Sequence, residues 1–174
     1  SGKDHGVKLS YALQHGSDGI PEALSLAENF VGQDKMAVIL GDNIFEDDFS
    51  DSVASFNEKD GARVFIKIVG DPRKFGVAEI QDNRIVSIEE KPKEPKTKYA
   101  TVGFYLYGPD VFDKIRKLKP SARGELEITD VNNMYIQEEK LFYDFVKGFW
   151  SDAGSFDSLL HTTNWIANKK KGKK

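Results

Sequence analysis

The sequence contains no cysteine, so a disulfide scaffold and a thiolate metal site are excluded. Its three histidines are scattered at positions 5, 15 and 161, a spacing that indicates neither a histidine metal site nor a Ser-His-Asp triad. No apolar run approaches the ~20 residues of a membrane span, and no signal peptide is visible. These absences predict a cytoplasmic protein without a membrane partner.

Positive charge is not in excess either, because 25 lysines and arginines face 28 aspartates and glutamates, for a net charge of -3. No overall field therefore attracts nucleic acid or acidic membranes. Apolar residues make up 39% of the chain and charged residues 30%, which is typical of a globular protein. With 174 residues, no internal repeat and no low-complexity linker, the chain predicts one domain.

Predicted strands and helices alternate along the chain. Strands are expected at 7–13, 36–40, 62–69, 76–80, 84–89, 101–107 and 141–147, and helices at 21–30, 49–59, 109–118, 125–138 and 155–168. The Asp82-Asn83 pair predicts a hairpin turn. The continuously apolar stretch 36–40 is typical of a strand buried on both faces. This pattern predicts an α/β domain with a mostly parallel sheet.

Ligands of such sheets bind at the carboxyl ends of the strands, so the polar motifs that follow apolar runs are the candidate site. Asp42, in Gly41-Asp42-Asn43, could bind Mg²⁺, or the three residues could form only a turn. Asp152 lies in the segment 150–154, interpreted as the end of the strand that begins at Leu141. It could be a second metal carboxylate or the N-cap of the last helix.

Two further motifs follow predicted strands. In Glu89-Glu90-Lys91-Pro92 the lysine could bind a phosphate and a glutamate could accept hydrogen bonds from sugar hydroxyls. The alternative is an exposed salt-bridged patch. In the segment 14–19, Gln14 could pair with the edge of a base, and the glycines would allow close approach of the backbone. The alternative is a plain connecting loop.

Taken together, these motifs resemble the glucose-1-phosphate thymidylyltransferases of the sugar-1-phosphate nucleotidylyltransferase family over essentially the whole chain. Order and spacing both match, and the run from Lys119 to Asp130 is the most diagnostic. The residues that carry the resemblance are Gln14, 17–19, 40–45, 75–77, 89–92, 99–100, Gly103, 119–130 and 150–154. The resemblance implies a three-layer, Rossmann-like nucleotide-diphospho-sugar transferase fold with a mixed, mostly parallel central sheet.

The resemblance also implies a reaction. Glucose 1-phosphate and dTTP would give dTDP-glucose and pyrophosphate, with Mg²⁺ as cofactor, in deoxysugar and polysaccharide biosynthesis such as that of rhamnose. Gln14 would pair with the thymine and Gly19 would pack against it. Asp42 and Asp152 would be the catalytic Mg²⁺ ligands, so their carboxylates are expected roughly 4–5 Å apart.

On the sugar side, the resemblance implies that Gly76 and Glu90 contact the glucose hydroxyls and that Lys91 holds the sugar phosphate. By the same resemblance, Thr101 would line the sugar pocket at a position where the family often has valine, and Trp150 would also contact the substrate. The family commonly assembles into homo-oligomers. The glycine-rich triphosphate loop with which the family begins is missing here. Residues 1–174 are therefore expected to be an N-terminally incomplete nucleotidylyltransferase domain that is inactive alone.

Three alternatives stay open at this point. A related glycosyltransferase would normally carry Asp-x-Asp, whereas Asp42 is followed by Asn43 and Ile44. A non-catalytic sugar-nucleotide-binding relative would fit the missing loop. A nucleotidylyltransferase that uses UTP or CTP would share much of the same motif set.

Overall fold

The structure, a computed structural model, describes residues 2–57 and 61–171. After a short 3₁₀ helix, Gly2–His5, six α-helices and eight strands are found in this part of the chain. The helices are α1 (Ile20–Ser25), α2 (Glu28–Val31), α3 (Ser50–Ser55), α4 (Val111–Ile115), α5 (Ile128–Gln137) and α6 (Phe156–Lys171). The strands are β1 (Met36–Ile39), β2 (Asn43–Phe45), β3 (Ala62–Ile68), β4 (Gly76–Gln81), β5 (Arg84–Glu90), β6 (Tyr99–Tyr107), β7 (Leu141–Phe145) and β8 (Trp150–Asp152).

Six strands form one sheet. Five of them follow the order β5-β4-β6-β3-β7, and the sixth, β1, pairs with the same edge of β6 as β4 but further along that strand. β2 and β8 form a separate two-stranded sheet. The predicted α/β class and the mixed sheet are confirmed, but the prediction of a mostly parallel sheet was wrong. Among the described residues only β3 and β7 pair in parallel. The reason is twofold. β6 runs antiparallel to all three strands that it pairs with, β1, β3 and β4, and the two-residue hairpin between β4 and β5 can connect only antiparallel neighbours.

The central strands separate two apolar cores because successive side chains point to opposite faces of a sheet. On β3, Val64 and Ile66 pack into the core that α1, α4 and α5 cover, whereas Phe65 packs into a second core on the other face. β6 alternates in the same way, with Tyr105 in the first core and Phe104 in the second. The sheet is thus the middle layer of three. In the described part of the chain, no helix is long and apolar enough to cross a membrane.

Two predicted strands differ from the structure. The segment 7–13 is not a strand, and its apolar side chains are more than half exposed because no described strand lies beside them to pair with. The strand predicted at 36–40 forms as β1, but it is not buried on both faces. Ile39 is 60% exposed, because β1 pairs only with residues 104–107 of β6 and presents one face to solvent.

The helix predicted from residue 125 begins only at Ile128, for a reason that concerns the site. The amide of Leu126 donates to the carbonyl of Asp18, and the amide of Ser121 donates to the carbonyl of Glu125. These bonds hold residues 125–127 extended and fasten them to the segment that ends at Gly19. The helix predicted at 21–30 is also divided, into α1 and α2. The helix predicted at 49–59 ends already at Ser55, because Phe56 is extended, and residues 58–59 lie outside the described part of the chain.

The loop between β7 and β8 is held by charged side chains. The Lys67 ammonium donates to the carbonyls of Val146, Lys147 and Gly148 at 3.2, 3.2 and 2.6 Å. The Asp47 carboxylate accepts the amides of Lys147 and Gly148 at 2.6 and 2.7 Å. The segment 150–154 was therefore wrongly interpreted as the end of the β7 strand. This loop turns the chain away from β7 and allows residues 150–152 to pair with β2.

Replacing Lys67 by Met should lower the free energy of unfolding by about 1–3 kcal/mol, because three carbonyl oxygens lose a charged donor. Denaturant unfolding followed by circular dichroism measures this. Lys8→Met is the matched control, since Lys8 is exposed and has no ion pair among the described residues. Equal stability of the two variants would show that the ammonium contributes nothing to holding the loop.

Candidate active site

Asp42 and Asp152 are brought together by the short pair of strands β2 and β8. Asp42 lies in the turn that follows β1, and Asp152 is the last residue of β8, paired in register with Asn43. The carbonyl of Asp42 accepts the amide of Ala153 at 2.8 Å, which closes the pairing on the side of the two carboxylates. Residues 110 positions apart in the chain thus become neighbours.

Gly154 leaves the space in which the two carboxylates meet. A Cβ at this position would lie 2.8 Å from Oδ1 of Asp152 and 3.0 Å from Oδ2 of Asp42. The two oxygens are therefore separated by no more than these distances added together, about 6 Å, a bound that includes the span expected for two ligands of one Mg²⁺ ion. The amide of Gly154 also donates to Oδ1 of Asp152 at 2.7 Å.

The described residues contain no cluster of three or more histidine, aspartate or glutamate side chains that could bind a metal ion. A pair of carboxylates still suits Mg²⁺, which usually takes one or two from the protein and fills its octahedral shell with water and substrate oxygens. The residues present therefore fit a magnesium ion that is shared with a phosphate ligand.

The interpretation of Asp152 as the N-cap of the last helix was wrong. α6 begins at Phe156, and its cap is Ser155, whose hydroxyl accepts the amide of Ser158 at 3.2 Å. The Ser158 hydroxyl accepts the amide of Ser155 at 3.1 Å in return, an arrangement like a capping box. The Asp152 carboxylate is thereby left to face Asp42.

Glu90 and Lys91 lie at the end of β5, opposite Gly76 at the start of β4. The amide of Lys91 donates to the carbonyl of Phe75 at 3.0 Å, and the residue has a φ of 45°, in the left-handed region that non-glycine residues seldom adopt. The Lys91 ammonium lies 3.9 Å from Oε1 of Glu90, with its side chain 45% exposed. The lysine is thus held at the rim of the site with its charge accessible.

The Glu90 carboxylate is oriented by two neighbours that were not predicted as site residues. The Thr129 hydroxyl donates to Oε2 of Glu90 at 2.5 Å, and Nη1 of Arg123 lies 3.6 Å from Oε1. Arg123 therefore adds a second cation beside Lys91. Both residues belong to the run 119–130, which was singled out as a motif, so the signal was present in the sequence without a role attached to it.

Gly76 and Thr101 form the floor between Glu90 and the two aspartates. The Thr101 hydroxyl donates to the carbonyl of Gly76 at 3.1 Å, and a Cβ at Gly76 would lie 2.6 Å from that hydroxyl oxygen. Glycine is therefore needed here for β4 to approach β6. Trp150 forms the adjoining wall, with its ring 5.2 Å from that of Phe75 in a T-shaped contact.

Gln14 and Gly19 lie on the other side of Lys91. Gly19 has a φ of 97°, and a Cβ there would overlap the carbonyl of Leu126, so only glycine fits this close approach. The Gln14 amide nitrogen donates to a carboxylate oxygen of Glu22 and, at 3.4 Å, to the carbonyl of Gly19. The amide that was predicted to pair with a base edge is thus held beside α1.

All nine predicted site residues line two adjoining cavities. Gln14 and Gly19 line a cleft of about 600 Å³. A smaller cavity of about 150 Å³ is lined by Asp42, Gly76, Thr101, Trp150 and Asp152. Glu90 and Lys91 line both cavities and so join them. The combined site therefore has two halves. The smaller cavity holds the paired carboxylates of Asp42 and Asp152, and the larger of the two is bounded by the helix α1.

Tyr105 lies under the smaller cavity and is a neutral phenol. Burial raises its pKa far above the ordinary value, and the charges of Glu90 and Asp42 raise it further. Tyr105, Glu90 and Asp42 all line this cavity, so the phenol contributes a neutral hydroxyl to it.

A larger cavity, of about 800 Å³, lies along β7 and the β4-β5 hairpin turn. Arg63, Arg84 and Tyr143 are among its lining residues, but none of the predicted site residues is. Its two carboxylates are each paired with an arginine of the same lining, Asp144 with Arg63 at 3.3 Å and Glu139 with Arg84 at 3.8 Å. In the smaller cavity, by contrast, the carboxylates of Asp42 and Asp152 meet each other across the space at Gly154.

Comparison with known proteins agrees with this geometry. A curated glucose-1-phosphate thymidylyltransferase of Neisseria meningitidis is 41% identical over 170 residues, which cover 95% of this chain and 59% of that protein. A relative in Haloferax volcanii, named low-salt glycan biosynthesis nucleotidyltransferase Agl11, is 37% identical over 99% of the chain and 49% of its own length. The chain thus spans about half to three fifths of the length of these relatives.

Solved structures match in the same way. A Bacillus anthracis protein, named as a glucose-1-phosphate thymidylyltransferase in complex with a sucrose, is 54% identical with a TM-score of 0.87, and the match covers 92% of this chain and 66% of that one. A UDP-glucose pyrophosphorylase complexed with UDP-glucose gives 25% identity and a TM-score of 0.81 over the same shares. The family model described as nucleotidyl transferase matches residues 1–169. The chain belongs to the nucleotidyl transferase family.

Proposed function

We propose that this chain forms the sugar-binding and metal-binding part of a glucose-1-phosphate thymidylyltransferase, which joins glucose 1-phosphate to dTTP and releases pyrophosphate. The observation that carries the proposal is the gathering of all nine predicted residues around two adjoining cavities. The curated relatives of that name, which are about 40% identical, support the choice of substrates.

In the proposed reaction a phosphate oxygen of glucose 1-phosphate attacks the α-phosphorus of dTTP. The bond from that phosphorus to the bridging oxygen breaks in line, and the electron pair leaves with pyrophosphate. Lys91 holds the attacking phosphate. Arg123 lies beside the same carboxylate, that of Glu90, and adds a second positive charge near the phosphate. Catalysis is then mainly positioning and charge stabilisation, without a covalent enzyme intermediate.

Asp42 and Asp152 would hold Mg²⁺ in this proposal. The ion supplies positive charge that offsets the charge which develops on the phosphate oxygens. The two aspartates need only converge on one ion and leave its remaining positions open to water and phosphate, and the space at Gly154 permits this. Because the two aspartates line the same cavity as Glu90 and Lys91, a metal ion held there would offset charge on a phosphate bound beside Lys91.

The sugar and the base would be recognised in different halves of the site. In the smaller cavity Glu90, oriented by Thr129, accepts hydrogen bonds from sugar hydroxyls, while Gly76 and Thr101 bring backbone and hydroxyl groups close. In the cleft of about 600 Å³, Gln14 would exchange its contact with Glu22 for a hydrogen bond to the edge of the thymine, and the thymine would pack against Gly19. The proposal assigns the enzyme to the cytoplasm, to deoxysugar synthesis such as that of rhamnose, and to a homo-oligomer.

The reaction is tested with the protein expressed from the complete gene. Pyrophosphate release from glucose 1-phosphate is measured with dTTP, UTP, CTP and GTP in parallel, with and without Mg²⁺. We expect dTTP to be used best and only with the metal. Preference for UTP would instead favour the uridylyl activity, which the likeness to UDP-glucose pyrophosphorylase makes the second candidate. No turnover with any nucleotide would favour a non-catalytic binding role.

Lys91→Ala should raise the KM for glucose 1-phosphate by roughly ten- to a hundredfold, because the sugar phosphate loses a charge-assisted contact worth about 1.5–3 kcal/mol. Steady-state kinetics with each substrate varied in turn measures this. Lys93→Ala is the matched control, since Lys93 is exposed just beyond Pro92. A change in the KM for dTTP alone would assign Lys91 to the nucleotide.

Gly154→Ala should weaken Mg²⁺ binding by about ten- to a hundredfold, because the added methyl group displaces both carboxylates from each other. Isothermal titration with Mg²⁺ measures the affinity. Gly41→Ala is the matched control, because Gly41 precedes Asp42 and a Cβ there would meet nothing within 4 Å. If both variants bound Mg²⁺ like the wild type, the metal would not lie between the two aspartates.

A further inference from the structure

Asn43 is a buried amide that joins three parts of the site. It is 9% exposed at the start of β2. Its Nδ2 donates to Oδ1 of Asp42 at 2.9 Å, while its Oδ1 accepts the backbone amide of Gly103 at 2.9 Å and the indole N–H of Trp150 at 2.7 Å. One side chain therefore connects the first metal-side carboxylate to β6 and to β8.

The orientation of this amide is determined by its partners. Two N–H donors, from Gly103 and Trp150, face the oxygen of Asn43, and a carboxylate oxygen faces its nitrogen. The flipped amide would direct its NH₂ group at two donors and its oxygen at the Asp42 carboxylate, so all three bonds would be lost. The donor of Asn43 must therefore point at Asp42.

Close approach of β6 depends on Gly103. A Cβ at Gly103 would lie 2.7 Å from Cγ of Asn43 and 2.8 Å from Oδ1, so a larger residue would push the amide out of place. Gly103 and Asn43 thus form a fitted pair. Such a fit is more than a surface turn requires, since a turn would leave the Asn43 side chain in solvent.

We infer that Asn43 is a positioning residue, which fixes the Asp42 carboxylate in the orientation that meets Asp152 and couples it to Trp150. The inference rests on the proposed function, because it assigns Asp42 to a metal ion. Hydrogen-bonded neighbours of this kind orient metal ligands, and their loss weakens metal binding without removing a ligand. Asn43 itself binds no metal in this role.

The test measures Mn²⁺ binding to the protein by electron paramagnetic resonance of the free ion, since Mn²⁺ accepts the same oxygen ligands as Mg²⁺. We expect Asn43→Ala to weaken binding by about ten- to a hundredfold. Asn132→Ala is the matched control. Asn132 is another buried amide, 1% exposed, which accepts the Tyr107 hydroxyl at 2.7 Å and lies outside the site. Its loss should lower the Tm and leave Mn²⁺ affinity within about twofold of the wild type.

A third variant, Asp42→Asn, distinguishes failure of the proposed metal site from failure of the positioning role of Asn43. Absence of Mn²⁺ binding by the wild type, or equal binding by Asp42→Asn, would overturn the proposed metal site and the role of Asn43 with it. Loss of binding in Asp42→Asn together with wild-type affinity in Asn43→Ala would overturn the role of Asn43 alone. Equal weakening in Asn43→Ala and Asn132→Ala would also overturn it, since general destabilisation would then account for the effect.

A second measurement decides the matter if Asn43→Ala does not fold. The 174 residues contain two indole N–H groups, of Trp150 and Trp165, which give separate ¹H–¹⁵N resonances. Addition of Mg²⁺ should shift the resonance of Trp150, whose indole donates to Asn43, and leave that of Trp165, which stacks on Phe149, in place. A Trp150 resonance that did not move at saturating Mg²⁺ would contradict the coupling.

Discussion

The site depends on the pairing of β2 with β8, two strands of three residues each. A ribbon this short is not stable by its own backbone hydrogen bonds. It is supported from outside by Lys67 and Asp47, which hold the loop before β8, and within the ribbon by the side-chain bond from Trp150 to Asn43. Apolar contact adds to this support, because Phe45 of β2 and Trp150 of β8 pack against the second core.

β6 is the second constraint, since it is the strand against which the other parts of the site are assembled. It pairs with β3 on one side and with both β1 and β4 on the other. Its apolar side chains fill the cores on both faces of the sheet. The positions at which it meets the site carry small or polar residues, Thr101 and Gly103, which let Gly76 and Asn43 approach. The same strand therefore anchors the fold and shapes the floor of the cavity.

The sequence predicted best those elements whose determinants are local. The hairpin formed as expected because Asp82 and Asn83 both adopt the positive φ that a two-residue turn needs. The segment 7–13 alternates as a strand should, yet a strand also needs a neighbour, and no described strand pairs with it. β8 was missed because three residues carry too weak a periodicity, and its pairing is set by contacts about 100 residues away. The site residues were found through motif resemblance. Asn43 was quoted within that motif without a role of its own, because two of its three partners, Gly103 and Trp150, are 60 and 107 residues away in sequence.

The backbone at Lys91 shows how the fold and the chemistry are connected. A non-glycine residue at positive φ costs about 1–3 kcal/mol unless its surroundings impose the conformation. Here the pairing of Gly76 with Glu90 and the bond from the Lys91 amide to Phe75 hold the backbone on one side, and the buried ring of Pro92 holds it on the other. An extended Lys91 would continue β5 and direct its side chain along the hairpin. With φ at 45° the chain turns at the end of the strand, and the ammonium lies beside Glu90 where the two cavities join. The hairpin thus fixes the backbone of Lys91 before a ligand binds, so the binding of a phosphate would not have to order that backbone.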